Sequence, residues 1–279
     1  MGRNIEHSHF LPYNLRSIAP TVKKGKGIYL YDSSGKRYID GSSGPVVCNI
    51  GHGVKEIGEA YADQAGKVAY VFRSHFTSEP VEMLAARIAE MAPEDLNRVF
   101  FVSSGSEGTE MAAKIARQYY LERDEVRKEL IISRWLSYHG ITMGALSMSG
   151  HVLRRKNYVT SLLPYPKIPA PYCYRCPEKS EYPACNVACA YRLKETIQMI
   201  GEEYISAFIA EPVVGAAGGA ITPPAEYYAI IREICDAFDI LFIADEVMTG
   251  FGRTGLNFGI ENWDVTPDMI VFAKGSSAG

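Results

Sequence analysis

The chain has 279 residues, of which 47% are hydrophobic and 22% are charged, so it can bury a sizeable core. This composition excludes a fibre, a disulfide-stabilised miniprotein and a disordered chain. With 29 basic and 32 acidic residues, the net charge of −3 provides no long-range attraction for nucleic acid or an anionic membrane, and neither partner is expected.

The first residues, Met1 to Asn14, carry charged and polar side chains and lack the apolar stretch of a secretory signal. We therefore expect a cytoplasmic location, in which six cysteines favour thiols or metal ligands over disulfides. Two alternating segments, 27–32 and 36–40, flank a Ser-Ser-Gly turn, which is typical of a β-hairpin. We predict an N-terminal segment with this hairpin over residues 1–50 and a large domain over 51–279.

Helices and strands alternate through the rest of the chain. Ser78 followed by Pro80 predicts a helix start, and helical periodicity recurs in 110–121 and 225–238. Short apolar runs between the helical stretches have the length of buried parallel strands. They are Val99 to Val102, Ala207 to Ala210, Leu241 to Ala244, Met269 to Ala273 and, more weakly, Leu130 to Ile132. This order predicts an α/β fold with a mainly parallel sheet covered by helices.

Polar residues follow four of these runs directly. A Ser/Gly turn, 103–108, follows the first run, and Glu211, Asp245 and Lys274 follow later ones. Because ligands of open α/β sheets bind beyond the carboxyl ends of the strands, we expect these side chains to share one site.

Each residue alone has an ordinary interpretation. Ser104 could be a simple helix N-cap, Asp245 could pair with Arg253 or another arginine, and a lysine after a strand is usually solvated. Together, a turn that binds phosphate, a carboxylate that keeps a ring nitrogen protonated and an amine that binds an aldehyde are what pyridoxal 5′-phosphate needs. The combination therefore favours this cofactor.

A competing motif occurs at Gly250 to Gly255, which fits the G-x-G-x-x-G pattern of dinucleotide sites. The acidic pair Asp245-Glu246 would repel a pyrophosphate, and residues 256–259 make a poor helix start. We interpret the motif as a loop.

A series of ordered motifs over nearly the whole chain resembles the class III aminotransferases. The motifs are Tyr29-Leu30-Tyr31-Asp32, Gly35-Lys36-Arg37-Tyr38-Ile39-Asp40, Asn49-Ile50-Gly51-His52, Ser103-Ser104-Gly105-Ser106-Glu107, Tyr138-His139-Gly140, Ala210-Glu211-Pro212-Val213, Asp245-Glu246-Val247, Gly250-Phe251-Gly252-Arg253-Thr254-Gly255, Pro267-Asp268 and Ala273-Lys274-Gly275. The resemblance implies the large domain of the fold type I pyridoxal-phosphate enzymes, in a protein that forms homodimers.

The same resemblance implies a role for each matching residue. Lys274 is the implied catalytic residue, which forms a Schiff base with the cofactor and moves a proton between cofactor and substrate. Asp245 is expected to pair with the pyridine nitrogen. The other implied cofactor contacts are Gly105 and Ser106 at the phosphate, Tyr138 on one ring face with His139 beside it, Val247 on the other face, and Glu211 near the cofactor and substrate.

The implied reaction moves an amino group from an amine or amino acid to a keto acid or aldehyde through pyridoxamine phosphate. An aminomutase or a decarboxylase of the same fold is an alternative. A second alternative is an inactive fragment that acts only by associating with a full-length subunit.

Two features depart from the family pattern. The loop at 215–219 lacks the acidic residue that the family carries there. The sequence ends at Gly279, before the C-terminal small domain of the family, so that domain is expected to be missing. We accordingly expect the 279-residue chain alone to show weak or no transaminase turnover, which an amine-transfer assay measures directly.

Four cysteines lie close together in a proline-rich segment: Cys173, Cys176, Cys185 and Cys189. Their spacing could suit a tetrahedral zinc site, although cysteines without metal, either reduced or oxidised in pairs, are the favoured interpretation because zinc is not a standard feature of the family. Cys48 and Cys235 are expected to be ordinary core thiols.

Overall fold

The computed structural model describes residues 9–11 and 19–277, and the chain divides into two compact units. The first unit extends to Phe72, and the second covers Arg73–Ser277. The boundary expected after residue 50 lies inside the first unit, and the assignment of the two domains stays a prediction.

The α-helices of the described residues are α1 Ser43–Val46, α2 Lys55–Lys67, α3 Glu79–Met91, α4 Gly105–Leu121, α5 Met143–Met148, α6 Val152–Arg155, α7 Ala188–Ile200 and α8 Tyr227–Ala237. The strands are β1 Val22–Lys26, β2 Tyr29–Asp32, β3 Arg37–Ile39, β4 Leu130–Arg134, β5 Lys167–Ile168, β6 Ile205–Ala210, β7 Leu241–Asp245 and β8 Met269–Val271. None of these helices combines the length and the apolar character needed to cross a lipid bilayer.

The first unit contains an antiparallel sheet in the order β1-β2-β3, so the predicted hairpin of β2 and β3 is confirmed. The Asp32 carboxylate stabilises its turn by accepting the backbone N–H groups of Ser34 at 2.8 Å and Lys36 at 3.0 Å. Strand β1 was not predicted, because its sequence is mostly lysine and glycine.

The second unit contains a parallel sheet in the order β5-β4-β6-β7-β8. Strand β6 shows how both faces are buried. Phe208 packs in the cluster that includes Leu193 of α7 and Ile231 of α8, whereas Ile209 packs in the cluster that includes Ala116 of α4. Helices therefore cover both faces, and the predicted α/β fold is confirmed.

One predicted strand is wrong. The run Val99–Val102 forms no strand and pairs with none among the described residues. Phe100 and Val102 are 46% and 39% exposed, and the guanidinium of Arg73 lies 4.2 Å from the Phe100 ring centroid. An apolar run becomes a strand only where a neighbouring strand accepts its backbone hydrogen bonds, and no described segment does so here.

The Gly250–Gly255 motif forms turns and not the start of a helix, as expected. The buried Glu246 carboxylate holds the chain beyond this loop. It accepts the backbone N–H groups of Gly259 at 2.8 Å and Ile260 at 2.7 Å, together with the hydroxyl of Thr249. Glu246 thus stabilises the chain around this loop.

We expect Glu246→Ala to lower the free energy of unfolding by at least about 2 kcal/mol, because it leaves buried donors without an acceptor. Urea unfolding monitored by circular dichroism measures the change. Glu233→Ala, on the exposed side of α8, is the control and is expected to change stability little. Equal effects of the two substitutions would contradict this role of Glu246.

Candidate active site

Parallel strands β6, β7 and β8 bring three charged side chains to one edge of the sheet. Glu211 follows β6, Asp245 ends β7, and Lys274 lies three residues beyond β8. Burial lowers the pKa of the Lys274 amine, and the negative charges of Asp245 and Glu211 act in the opposite direction. The amine therefore lies within electrostatic range of both carboxylates, as the sequence predicted.

The backbone of Lys274 adopts a φ of 52°, in the left-handed region that a lysine rarely occupies. Such strain costs on the order of 1–3 kcal/mol and is concentrated at functional sites. The left-handed conformation lies three residues beyond β8, and the Lys274 side chain is half-buried there.

Asp245 is 3% exposed and pairs with His139. Its Oδ2 lies 2.7 Å from Nδ1 of His139, and its Oδ1 accepts the backbone N–H of Val247 at 3.1 Å. The other imidazole nitrogen, Nε2, is buried and has no hydrogen-bond partner among the residues that the structure describes. An unpartnered buried polar atom beside a carboxylate is the kind of feature that a bound polar group would satisfy.

Glu211 is also buried, at 3% exposure. Its carboxylate accepts the backbone N–H of Tyr138 at 2.8 Å and of Gly215 at 2.9 Å. Burial raises the pKa of Glu211, the charge of His139 lowers it, and the charge of Asp245 raises it further. Gly215 belongs to the loop that lacks the family's acidic residue, so this loop contacts the site through its backbone.

The raised pKa of Glu211 predicts a pH effect on stability. The folded form binds the Glu211 proton more tightly than the unfolded form, so this group lowers the free energy of unfolding as pH rises from the ordinary glutamate value through the raised one. Glu211→Gln removes that slope, although the loss of one hydrogen bond lowers stability at every pH. Urea titrations between about pH 4 and 8 test this, and parallel curves for the two proteins would contradict it.

Arg134, which was not predicted from the sequence, holds the backbone of Glu211 in place. The guanidinium of Arg134, which is fully buried at the end of β4, donates to the carbonyl oxygen of Glu211 at 2.5 Å and to the hydroxyl of Tyr228 at 3.1 Å. That hydroxyl donates to the same carbonyl at 2.6 Å. Arg134 lies two residues beyond the weakest predicted strand, Leu130 to Ile132, so the rule that identified Glu211 and Asp245 would have found it only if extended by one residue.

The predicted phosphate turn opens helix α4. Ser104 is the N-cap, and its hydroxyl oxygen accepts the backbone N–H of Glu107 at 3.2 Å. The remaining N–H groups of the first turn have no partner within the helix, and the helix dipole favours an anion there. The turn can therefore bind a phosphate beside the strand ends.

Close packing connects this turn to the rest of the site. A Cβ placed on Gly105 would lie 3.0 Å from a methyl group of Val247 and 3.4 Å from Cβ of Ala273, the residue before the lysine. The hydroxyl oxygen of Ser106 accepts the backbone N–H of Ile141 at 3.1 Å. The expected contacts Gly105, Ser106 and Val247 are thus brought together.

Tyr138 lies at the same edge, half-buried. Burial raises the pKa of its hydroxyl, Arg154 lowers it and the charge of Asp245 raises it, so the ring lies within electrostatic range of Asp245. The guanidinium of Arg154 is 4.6 Å from the Tyr138 ring centroid. Arg154 was not predicted, because it lies in a four-residue helix, Val152–Arg155, that carries no motif.

The four clustered cysteines line one cavity, together with Tyr182 and other residues of the proline-rich segment. All of them are free thiols, and among the described residues no group of three or more His, Cys, Asp or Glu side chains is arranged to hold a metal ion. The predicted core position of Cys235 is confirmed, whereas Cys48 is only half-buried and lies against a histidine.

Comparison with known proteins gives consistent matches. The family model for Aminotransferase class-III matches residues 12–279. The uncharacterized aminotransferase YodT of Bacillus subtilis is 49% identical over 98% of this chain and 61% of its own length. The putrescine–pyruvate aminotransferase of Pseudomonas aeruginosa is 37% identical over 94% of this chain and 57% of its own length.

A solved amine transaminase from an uncultivated Pseudomonas species, in its PLP-bound form, superposes with a TM-score of 0.90. It is 39% identical, and the match covers 98% of this chain and 61% of that one. The chain thus spans about 60% of the length of the relatives that it matches.

Proposed function

The chain belongs to the class III aminotransferase family, and from this premise we propose that it holds the cofactor site of a pyridoxal-5′-phosphate-dependent aminotransferase. One observation carries the proposal: Glu211, Asp245 and Lys274 lie at or just beyond the ends of three adjacent parallel strands, and Gly105 at the start of α4 packs against Val247 and Ala273 at the same edge. The reaction is transfer of an amino group from an amine or amino acid to a keto acid or aldehyde.

The residues fit this cofactor. The first turn of α4, with Gly105 and Ser106, would hold the phosphate, and Asp245 would pair with the pyridine nitrogen. Tyr138 and Val247 would border the ring, and the unpartnered Nε2 of His139 supplies a buried polar atom beside it. When bound, the cofactor supplies an electron-accepting ring that stabilises charge released at the substrate carbon.

The protein side chains supply attachment, orientation and proton transfer. Desolvation favours the neutral, nucleophilic form of the Lys274 Nζ, which would attach the aldehyde and move the substrate proton. The charge of Asp245 would keep the ring nitrogen protonated, and His139 holds that carboxylate at 2.7 Å. The Glu211 carboxylate fixes the backbone of Tyr138 by accepting a hydrogen bond from the Tyr138 N–H.

Two glycines with positive φ allow a matched test of the phosphate turn. An alanine Cβ at Gly140, where φ is 139°, would lie 2.6 Å from the hydroxyl oxygen of Ser106, so Gly140→Ala must displace that residue. An alanine at Gly252, where φ is 85°, would meet nothing within 4 Å. Both substitutions strain the backbone by on the order of 1–3 kcal/mol, but only the first disturbs the turn.

We expect Gly140→Ala to weaken cofactor binding by about tenfold or more, equivalent to about 1.4 kcal/mol, while Gly252→Ala leaves it unchanged. Fluorescence titration with pyridoxal 5′-phosphate measures both dissociation constants. Equal weakening by both alanines would show that strain, not displacement of Ser106, is responsible.

The proposed acceptor class, assembly and location rest on the family resemblance and on the named relatives. The proposed acceptor class includes keto acids, as in the putrescine–pyruvate relative, and the proposed assembly is a homodimer. The proposed location is the cytoplasm. No described feature of the site favours an aminomutase or a decarboxylase over an aminotransferase.

A nitrogen-15 assay tests the proposal. Protein reconstituted with pyridoxal 5′-phosphate is mixed with pyruvate and a panel of labelled amines and amino acids, and labelled alanine is followed by NMR. Transfer of the label above a Lys274→Ala blank is the expected result, even where turnover is slow. Loss of carbon dioxide without labelled alanine would replace the proposal with a decarboxylase, and migration of the amino group within the donor would replace it with an aminomutase.

A further inference from the structure

A second cluster of reactive side chains lies in the first unit, outside the proposed site. The Sγ of Cys48 is 3.5 Å from Nδ1 of His52, and Nε2 of the same imidazole is 2.8 Å from Oδ2 of Asp40. The three groups form a line of thiol, imidazole and carboxylate. Side-chain exposures of 23% for His52 and 13% for Asp40 leave the cluster partly open to solvent.

The carboxylate sets the direction of proton transfer along this line. The hydrogen bond from His52 lowers the pKa of Asp40, and the backbone N–H of Ser43 donates to the other carboxylate oxygen at 2.9 Å. An ionised carboxylate only accepts hydrogen bonds, so Nε2 of His52 carries the proton. Nδ1 then presents its lone pair to the Cys48 thiol, which is the arrangement of a nucleophile with its general base.

The backbone holds the imidazole in this position. His52 and Gly27 exchange two backbone hydrogen bonds, of 2.8 Å and 2.9 Å. A Cβ on Gly25 would lie 2.5 Å from Cβ of His52, so the chain packs directly against the histidine. The relative positions of the thiol and its base are therefore set by the fold of the first unit.

We propose that Cys48 is a modification site that reacts with low-molecular-weight disulfides, with His52 as the general base. The Cys48 proton moves to Nδ1 of His52 while Sγ attacks one sulfur of the disulfide. A new S–S bond forms, the old one breaks, and the leaving thiolate takes the proton from the imidazolium. The products are a mixed disulfide at Cys48 and one free thiol, so electrons and protons balance. Asp40 acts as a positioning residue through His52.

The other cysteines provide internal comparisons. Burial raises the pKa of Cys189 and of Cys235 to about 12, which suppresses their thiolate forms. Cys173 is exposed, but burial of its sulfur and the nearby Cys185 and Cys176 raise its pKa. Among the described residues, the hydrogen bonds show a histidine nitrogen only at the Cys48 thiol. Cys173 is therefore the control thiol, being more exposed but without a base.

The experiment treats the chain with glutathione disulfide near pH 7, stops the reaction with N-ethylmaleimide and quantifies each cysteine peptide by mass spectrometry. We expect Cys48 to form the mixed disulfide about tenfold or more faster than Cys173, because an unassisted thiol is only a few per cent thiolate at this pH. His52→Gln should remove that advantage and leave the Cys173 rate unchanged. Asp40→Asn should reduce it partially.

The comparison within the wild-type protein does not depend on any variant folding. A Cys48 rate equal to or below that of Cys173 overturns the proposal. So does an unchanged Cys48 rate in a folded His52→Gln protein, as judged by circular dichroism. Local loosening by the substitution would expose Cys48 and raise its rate, so it cannot mimic the expected decrease.

Discussion

Lys274→Ala is expected to abolish covalent retention of pyridoxal 5′-phosphate and to lower whatever amine transfer the chain shows by at least about 10³-fold, because in the proposed reaction this residue both attaches the cofactor and moves the substrate proton. Non-covalent binding should persist, since the phosphate turn and Asp245 are unchanged. Gel filtration in buffer without cofactor, followed by absorbance of the protein fraction, measures retention. The nitrogen-15 assay measures transfer.

Lys167 provides the matched control. It is another half-buried lysine of the same unit, and burial together with Arg155 lowers its pKa to about 8. Its ammonium donates instead to backbone carbonyls, those of Ser147 at 2.8 Å and Tyr165 at 3.1 Å. Lys167→Met should lower stability and leave cofactor retention intact. Loss of retention in this variant, with retention preserved in Lys274→Ala, would reverse the assignment.

Asp245→Asn is expected to have the second-largest effect. The amide keeps the size of the side chain but removes the negative charge that would hold the ring nitrogen protonated, and it leaves buried His139 without its charged partner. We expect amine transfer to fall on the order of 10²- to 10³-fold, a range typical of removing one preorganised electrostatic contact. The dissociation constant of the cofactor should also rise.

Asp268→Asn is the control, because it removes a carboxylate charge from the same sheet away from the proposed cofactor site. The Asp268 carboxylate accepts the backbone N–H of Phe242 at 2.6 Å and the guanidinium of Arg232 at 2.7 Å, near the opposite end of β7. Its substitution should reduce stability without changing cofactor binding. Similar losses of cofactor binding in both variants would indicate general destabilisation of the sheet.

The positions of the candidate site residues at the strand ends were more predictable from the sequence than the number of strands. Glu211, Asp245 and Lys274 were found because buried parallel strands are short apolar runs and their next residues must lie at one edge. The run 99–102 has the same pattern, yet it forms no strand, because strand formation depends on a partner that a local pattern does not reveal.

Contacts between distant segments could not be predicted in the same way. Arg134 and Glu211 are 77 residues apart in sequence, and His139 and Asp245 are 106 apart, so only the folded sheet shows these pairs. Cys48 was predicted to be an ordinary core thiol. Its real environment depends on Asp40 and on the packing of His52 against β1, neither of which has a local sequence signal.

Borohydride reduction of the cofactor-loaded chain, followed by peptide mapping, identifies the lysine that binds the cofactor aldehyde. We expect a stable pyridoxyl group on the peptide that contains Lys274, with none on the peptide that contains Lys167. A label on a different lysine, or no label at saturating cofactor, would contradict the assignment of this sheet edge as the cofactor site.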